Sequence, residues 1–141
     1  MRRWLYPSLI FAFAALGLAV LAGAYYMPEI REAVVFQPVR RNVETNVRRI
    51  ADGQKAAYRK TGKLVTLSPS NTAPGSAALD LNWTAFAEDG FQYDAVVQPN
   101  RQLRVRALPK PEAVSNLEVP PQMYVADISP QGDFVRGGWY P

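Results

Sequence analysis

VRRNVETNVRRIADGQKAAYRKTG, running from Val39 to Gly62, is the stretch on which the fold turns. Val39, Val43, Val47, Ile50 and then Ala57 or Tyr58 recur near 3.6-residue spacing, which lines one side of a helix with apolar groups. The spacing predicts a helix from Val39 to Thr61. Gly62 suits the position just past its end, and Lys60 and Lys63 complement the negative pole of its dipole. The opposite side is a candidate basic face of Arg40, Arg41, Arg48, Arg49, Lys55 and Arg59. Residues 40–63 carry eight basic and two acidic side chains, a net of +6, whereas residues 64–141 carry five and eight, a net of −3. Such a face can attract anionic lipid headgroups, although a charge run is more often a solvated helix side. No aromatic residue is interleaved with the arginines, which argues against single-stranded nucleic acid as a partner.

C-terminal to this helix the period changes from 3.6 to two. Phe91, Tyr93, Ala95 and Val97 alternate with polar residues, as do Leu103, Val105 and Ala107, so the two runs read as a hairpin across Gln98-Pro99-Asn100-Arg101. Met123–Ile128 reads as a third strand and Phe134-Val135 as a short fourth, after a turn at Ser129–Asp133. Ser68–Ala78 is a Pro/Ser/Gly-rich loop and Lys110–Gln122 a proline-rich excursion. A helix followed by an antiparallel meander is an α+β pattern, in which helix stripe and sheet face bury one another.

N-terminal to the helix lies WLYPSLIFAFAALGLAVLAGAYYM, Trp4 to Met27, without a charged residue. A spanning helix needs roughly 20 mostly apolar residues, so the run predicts a transmembrane anchor over residues 1–27. A connector at 28–38 and an extracytoplasmic domain at 39–141 follow. Arg2 and Arg3 before the span hold the N-terminus in the cytoplasm by the positive-inside rule. Trp4, Tyr6, Tyr25 and Tyr26 suit the two membrane interfaces. Ala15, Ala19 and Gly23 form a stripe of small residues where another helix can pack. Ala22-Gly23-Ala24 matches a signal-peptidase site, but the apolar run exceeds the roughly 7–15 residues of a signal sequence, which favours retention. No ionisable residue lies in the span, so it is no ion or proton path.

The 141 residues contain no histidine and no cysteine. That excludes Ser-His-Asp and Cys-His catalysis, zinc–thiolate sites and disulfides. Asp80, Glu88, Asp89 and Asp94 lack the spacing of a calcium loop and read as turn residues. Asn82-Trp83-Thr84 matches a glycosylation sequon, a common tripeptide. No catalytic residue, cofactor, metal or small-molecule substrate is expected. Trp139 and Tyr140 end the chain after Gly137-Gly138 and are candidates for docking a partner, or for folding back on their own sheet.

The order of elements resembles type IV pilins and the pseudopilins of type II secretion, in which an N-terminal apolar helix runs into an amphipathic helix packed on an antiparallel sheet. The resemblance is carried by Asn46–Gly62, by Leu81-Asn82-Trp83, by Asp89–Tyr93, by Tyr124–Ile128 with Gly132, and by Pro28 near the helix break. It implies a pilin-like fold in a bacterial inner membrane with the C-terminal domain periplasmic or extracellular. Arg2-Arg3-Trp4-Leu5 lacks the leader glycine of a prepilin, and no acidic residue precedes Glu29. The expectation is therefore a non-enzymatic accessory or scaffold subunit that contacts lipids and an integral membrane protein. A polymerising pilin or pseudopilin is the alternative, and a small enzyme a remote one.

Overall fold

The computed structural model describes residues 5–68, 79, 81, 86 and 89–141. The chain divides into two compact units, meeting at Pro38 and Val39.

In the first unit, α1 (Leu5–Tyr26) is apolar on every side, and Phe11, Phe13 and Leu18 are among the side chains it exposes, Phe11 at 77%. A helix with no polar side belongs in a large core or in lipid. Its 22 residues extend about 33 Å at 1.5 Å per residue. Among the described residues no single helix is long and apolar enough to cross a membrane; Ser8–Gly23 with Pro28–Thr61 passes as a bent pair by length and composition. Met27 interrupts the helix, yet its N–H donates to Gly23 O at 2.7 Å and its carbonyl accepts from Arg31 N at 3.0 Å.

Helical structure resumes at α2 (Pro28–Arg31), widens into a π-turn at Glu32–Phe36, and continues as α3 (Gln37–Thr61). The sequence predicts Pro38 in the first turn of a new helix. It does lie there, one residue inside α3, but that helix runs on from the π-turn without a break. In an α-helix its ring would strike the carbonyl four residues back, and its missing N–H would leave that carbonyl unpaired. The wider turn, with Gln37 N–H bonded to Glu32 O, relieves that clash.

In the second unit, α3 lies on a four-stranded antiparallel sheet in the order β1 (Phe91–Val97), β2 (Leu103–Pro109), β3 (Met123–Ile128), β4 (Phe134–Tyr140). The fold class is the α+β pattern read from the sequence. Val43, Val47 and Ile50 are fully buried against Phe91, Tyr93, Ala95, Leu103, Val105, Ala107, Tyr124, Ala126 and Ile128. Among the described residues, those of the core all belong to this unit. The proline-rich excursion holds a short helix, α4 (Pro111–Ser115), which proline starts without wasting a donor.

The fourth strand corrects the sequence reading, which ends it at Val135. It runs to Tyr140, with Tyr124 paired to Trp139 and Ala126 to Gly137. Gly137 is glycine because a Cβ there would collide with the Tyr124 hydroxyl, so the pair that reads as a flexible tail is sheet.

Two features hold α3 in place. Gln54, fully buried, donates from Nε2 to Val65 O and accepts from Val65 N at Oε1, each at 2.7 Å. It thereby serves both backbone groups of the returning chain, which goes on to bridge Leu67 to Ala95 at the edge of β1. At the β3–β4 turn, a Cβ on Gly132 would lie 2.6 Å from Lys55 Cα, and its φ is +94°. Only glycine permits that approach and that backbone conformation. Gln54→Ala leaves two buried backbone groups unsatisfied, so the full chain in detergent should lose about 2–4 kcal/mol of unfolding free energy in a urea titration. A loss below about 0.5 kcal/mol would show that water replaces the amide.

Candidate interaction surfaces

The expected sites fall on three surfaces. On α1, Ala15 and Ala19 are exposed. Gly23, the third member of the small-residue stripe, is half-covered: Ile30 Cδ1 lies 3.2 Å from where its Cβ would be. The free part of the stripe is therefore shorter than the sequence suggests. Trp4 lies outside the described residues, as do the side chains of Tyr6, Tyr25 and Tyr26, although these three belong to α1. Asp80, Glu88 and the Asn82-Trp83-Thr84 sequon also lie outside them.

On α3 the basic side divides in two. Arg40, Arg48 and Lys55 lean toward the end of the sheet. Arg40 donates to Gln122 Oε1 at 2.6 Å and stacks its guanidinium 4.8 Å from the Trp139 ring centre. Arg48 stacks 4.2 Å from Phe134, and Lys55 pairs with Asp133 at 2.7 Å. Arg41, Arg49 and Arg59 are exposed, and among the described residues none of their side chains has an ion pair. Arg49 and Lys60 flank a hollow of about 350 Å³ beside Gly53 and Ala56.

Trp139 packs against its own domain. Its Nε1 donates to Glu44 Oε1 at 2.9 Å, and its ring meets Phe91 and Tyr124 at centroid distances of 6.1 and 5.2 Å. Tyr140, on the other side of β4, is 51% exposed.

The third surface is the side of the sheet away from α3, and it contains residues that sequence reasoning missed. Pairing puts Asp94 opposite Arg106 and Asp127 opposite Arg104 and Arg136. Asp127 accepts from Arg104 Nε at 3.0 Å and Arg136 Nε at 2.9 Å, and Asp94 pairs with Arg106. Both aspartates are buried beneath their arginines, whereas Arg136 stands 73% exposed. Tyr140, Met123 and Val125 join Arg104, Asp127 and Arg136 around a shallow hollow of about 340 Å³. The alternation of Arg104 and Arg106 marked a basic outer side. Assigning each its aspartate needed the strand register.

Burial alone would raise the Asp127 carboxyl, but hydrogen bonds from Arg104 and Arg136 outweigh it and hold the group below its ordinary 3.8. Asp89 moves the other way. Burial raises it above 3.8 despite hydrogen bonds from Tyr93, Phe91 N–H and Asn46. The Tyr93 phenol is pushed well up by burial and then by the Asp89 charge, so it stays protonated as a donor to that carboxylate. Asn46, Asp89 and Tyr93 thus form a polar knot inside the core, and what they do is satisfy one another. Among the described residues, no group of three or more metal-ligating side chains occurs.

No family model, no curated protein and no solved structure matches the chain. The long helix on a four-stranded antiparallel sheet is a pilin-like architecture, and it is the architecture alone that carries the likeness.

The two aspartates give opposite pH signatures. A carboxyl lowered on folding adds stability above its unfolded pKa and loses it as pH falls through the folded value; a raised one costs stability as pH climbs above the unfolded value. Asp127→Asn should therefore lower stability by about 1–2 kcal/mol at pH 7, the arginines being solvent-screened. That deficit should shrink as pH falls below about 4. Asp89→Asn should remove a decline that the parent shows as pH rises from about 4. Urea midpoints across pH 2–7 measure both, and parallel curves for Asp127→Asn and parent would contradict the ion-pair assignment.

Proposed function

We propose that this chain is a non-enzymatic single-pass membrane protein whose pilin-like domain serves as an accessory or scaffold subunit of a larger membrane assembly. The observation that supports it most is α1. Between Ser8 and Ala22 its described side chains are exposed, while among the described residues the core of 39–141 is assembled without any of them. A helix of that kind needs an apolar solvent, and Ser8–Gly23 passes the length and composition of a span only as a bent pair with Pro28–Thr61. Arg2 and Arg3 favour a cytoplasmic N-terminus and an exported domain. The absence of His and Cys leaves little for general acid–base or nucleophilic chemistry.

A second reading, a pilin or pseudopilin subunit, draws on the architecture. Against it stands the lack of an acidic residue anywhere in the apolar run Trp4–Met27. Mass spectrometry of the native N-terminus separates the two. A retained Met1 supports the anchor, trimming within the first few residues supports pilin processing, and a chain starting at Tyr25 overturns both in favour of a signal peptide.

Two outcomes are expected. A periplasm-dependent reporter fused after Gly62 should be active, and a reporter active only in the cytoplasm would reverse the orientation. Ala19→Leu keeps the span apolar but fills the free part of the small-residue stripe, so it should reduce co-purification of a membrane partner at least several-fold without loss from the membrane. Unchanged co-purification would make the stripe lipid-facing.

A further inference from the structure

We propose that Arg41, Arg49, Arg59 and Lys60 form a strip that docks the folded domain onto an anionic lipid surface; this rests on the membrane anchoring proposed above. The partition of the basic side carries the idea. Arg40, Arg48 and Lys55 are engaged with Trp139, Phe134 and Asp133, so they serve the fold. Arg41, Arg49, Arg59 and Lys60 are exposed, and among the described residues nothing within the domain pairs with them.

The four are also aligned. Eighteen residues make five helical turns at 3.6 per turn, so Arg41 and Arg59 project in the same direction, with Arg49 and Lys60 within about 100° of them. From Arg41 to Lys60 the strip is about 28 Å long. Among the described residues of the helix, one exposed acidic side chain, Asp52, shares its side.

The chemistry of the strip selects the occupant. Asn42, Thr45 and Ala56 separate the cations; Leu79 and Leu81 line the hollow beside Arg49 and Lys60 but are buried and half-buried, so among the described residues the strip exposes no large apolar or aromatic anchor of the kind that holds a protein partner. Among the described residues the strip presents no exposed stacking platform for single-stranded nucleic acid either. Phosphate headgroups ask for neither, only for spaced positive charge. Chain connectivity supplies proximity: eleven residues, 28–38, separate Met27 from Val39. Each Lys or Arg near an anionic surface strengthens association by about fivefold, an effect that salt screens.

The chain has no cysteine, so Ala56→Cys places a single fluorescent label within the strip. Val96→Cys, on the far side of the sheet, is the control. The full chain is inserted into nanodiscs of phosphatidylcholine, with or without about one-third phosphatidylglycerol, carrying a headgroup quencher. The label at position 56 should be quenched at least threefold more in anionic discs, the control unchanged, and 0.5 M salt should abolish the difference. Arg41→Gln, Arg49→Gln, Arg59→Gln and Lys60→Gln together should abolish it as well, while lysine at the three arginine positions should retain it. Circular dichroism shows that each variant is folded. Equal quenching in both discs, or quenching that survives the four glutamines, overturns the proposal. So does salt-sensitive capture of an oligonucleotide or an acidic peptide by the same strip in neutral discs with no lipid dependence. A chain that fails to co-elute with discs of either composition refutes the anchoring instead.

Discussion

Everything in the domain depends on one side of α3 being buried against the inner side of the sheet. Val43, Val47 and Ile50 give up all their exposure to β1, β2 and β3, and burial of side chains of this size contributes about 1.5–3 kcal/mol each. A meander with one apolar side has to bury that side against another element, and α3 is the one that covers it. The polar groups within this interface are reconciled with burial locally: Gln54 substitutes for a backbone neighbour of Val65, and Asn46 joins Asp89 and Tyr93. Each removes a cost that would otherwise count against the packing.

How much of this could be read beforehand follows from the range of each signal. The helix from Val39 and the strands at Phe91, Leu103 and Met123 announce themselves because apolar spacing is a local property. The fourth strand does not, since Gly137-Gly138 looks like a hinge until the Tyr124 ring is known to lie across it. The π-turn was hidden for the same reason. Pro38 says that an ordinary helix cannot pass, but not whether the chain stops or widens. On the outer side of the sheet, Asp94 and Asp127 are unremarkable acids in the sequence. Only register joins them to Arg106, Arg104 and Arg136.

The basic side of α3 shows the limit most clearly. Composition gave its charge and periodicity its direction. Neither separates Arg40 and Arg48, which stack on aromatic rings of β4, from Arg41 and Arg49, one residue further round the helix. That division appears only when the last strand is in place, because β4 and its turn supply the partners. The same strand explains Trp139, whose indole is held by Glu44 of the helix while neighbouring Tyr140 points to solvent.

The seat of Gly132 against Lys55 has a mechanical meaning. Under the anchoring proposed above, any pull on the domain would enter it through the start of α3. At this seat the main chain at Lys55 meets the main chain of the β3–β4 turn, with no flexible side chain between them to yield. The Lys55–Asp133 pair and the double bond from Gln54 to Val65 flank that stop. Three different kinds of contact thus lie within two residues of one another on the helix, so a pull that displaced it there would have to break them together.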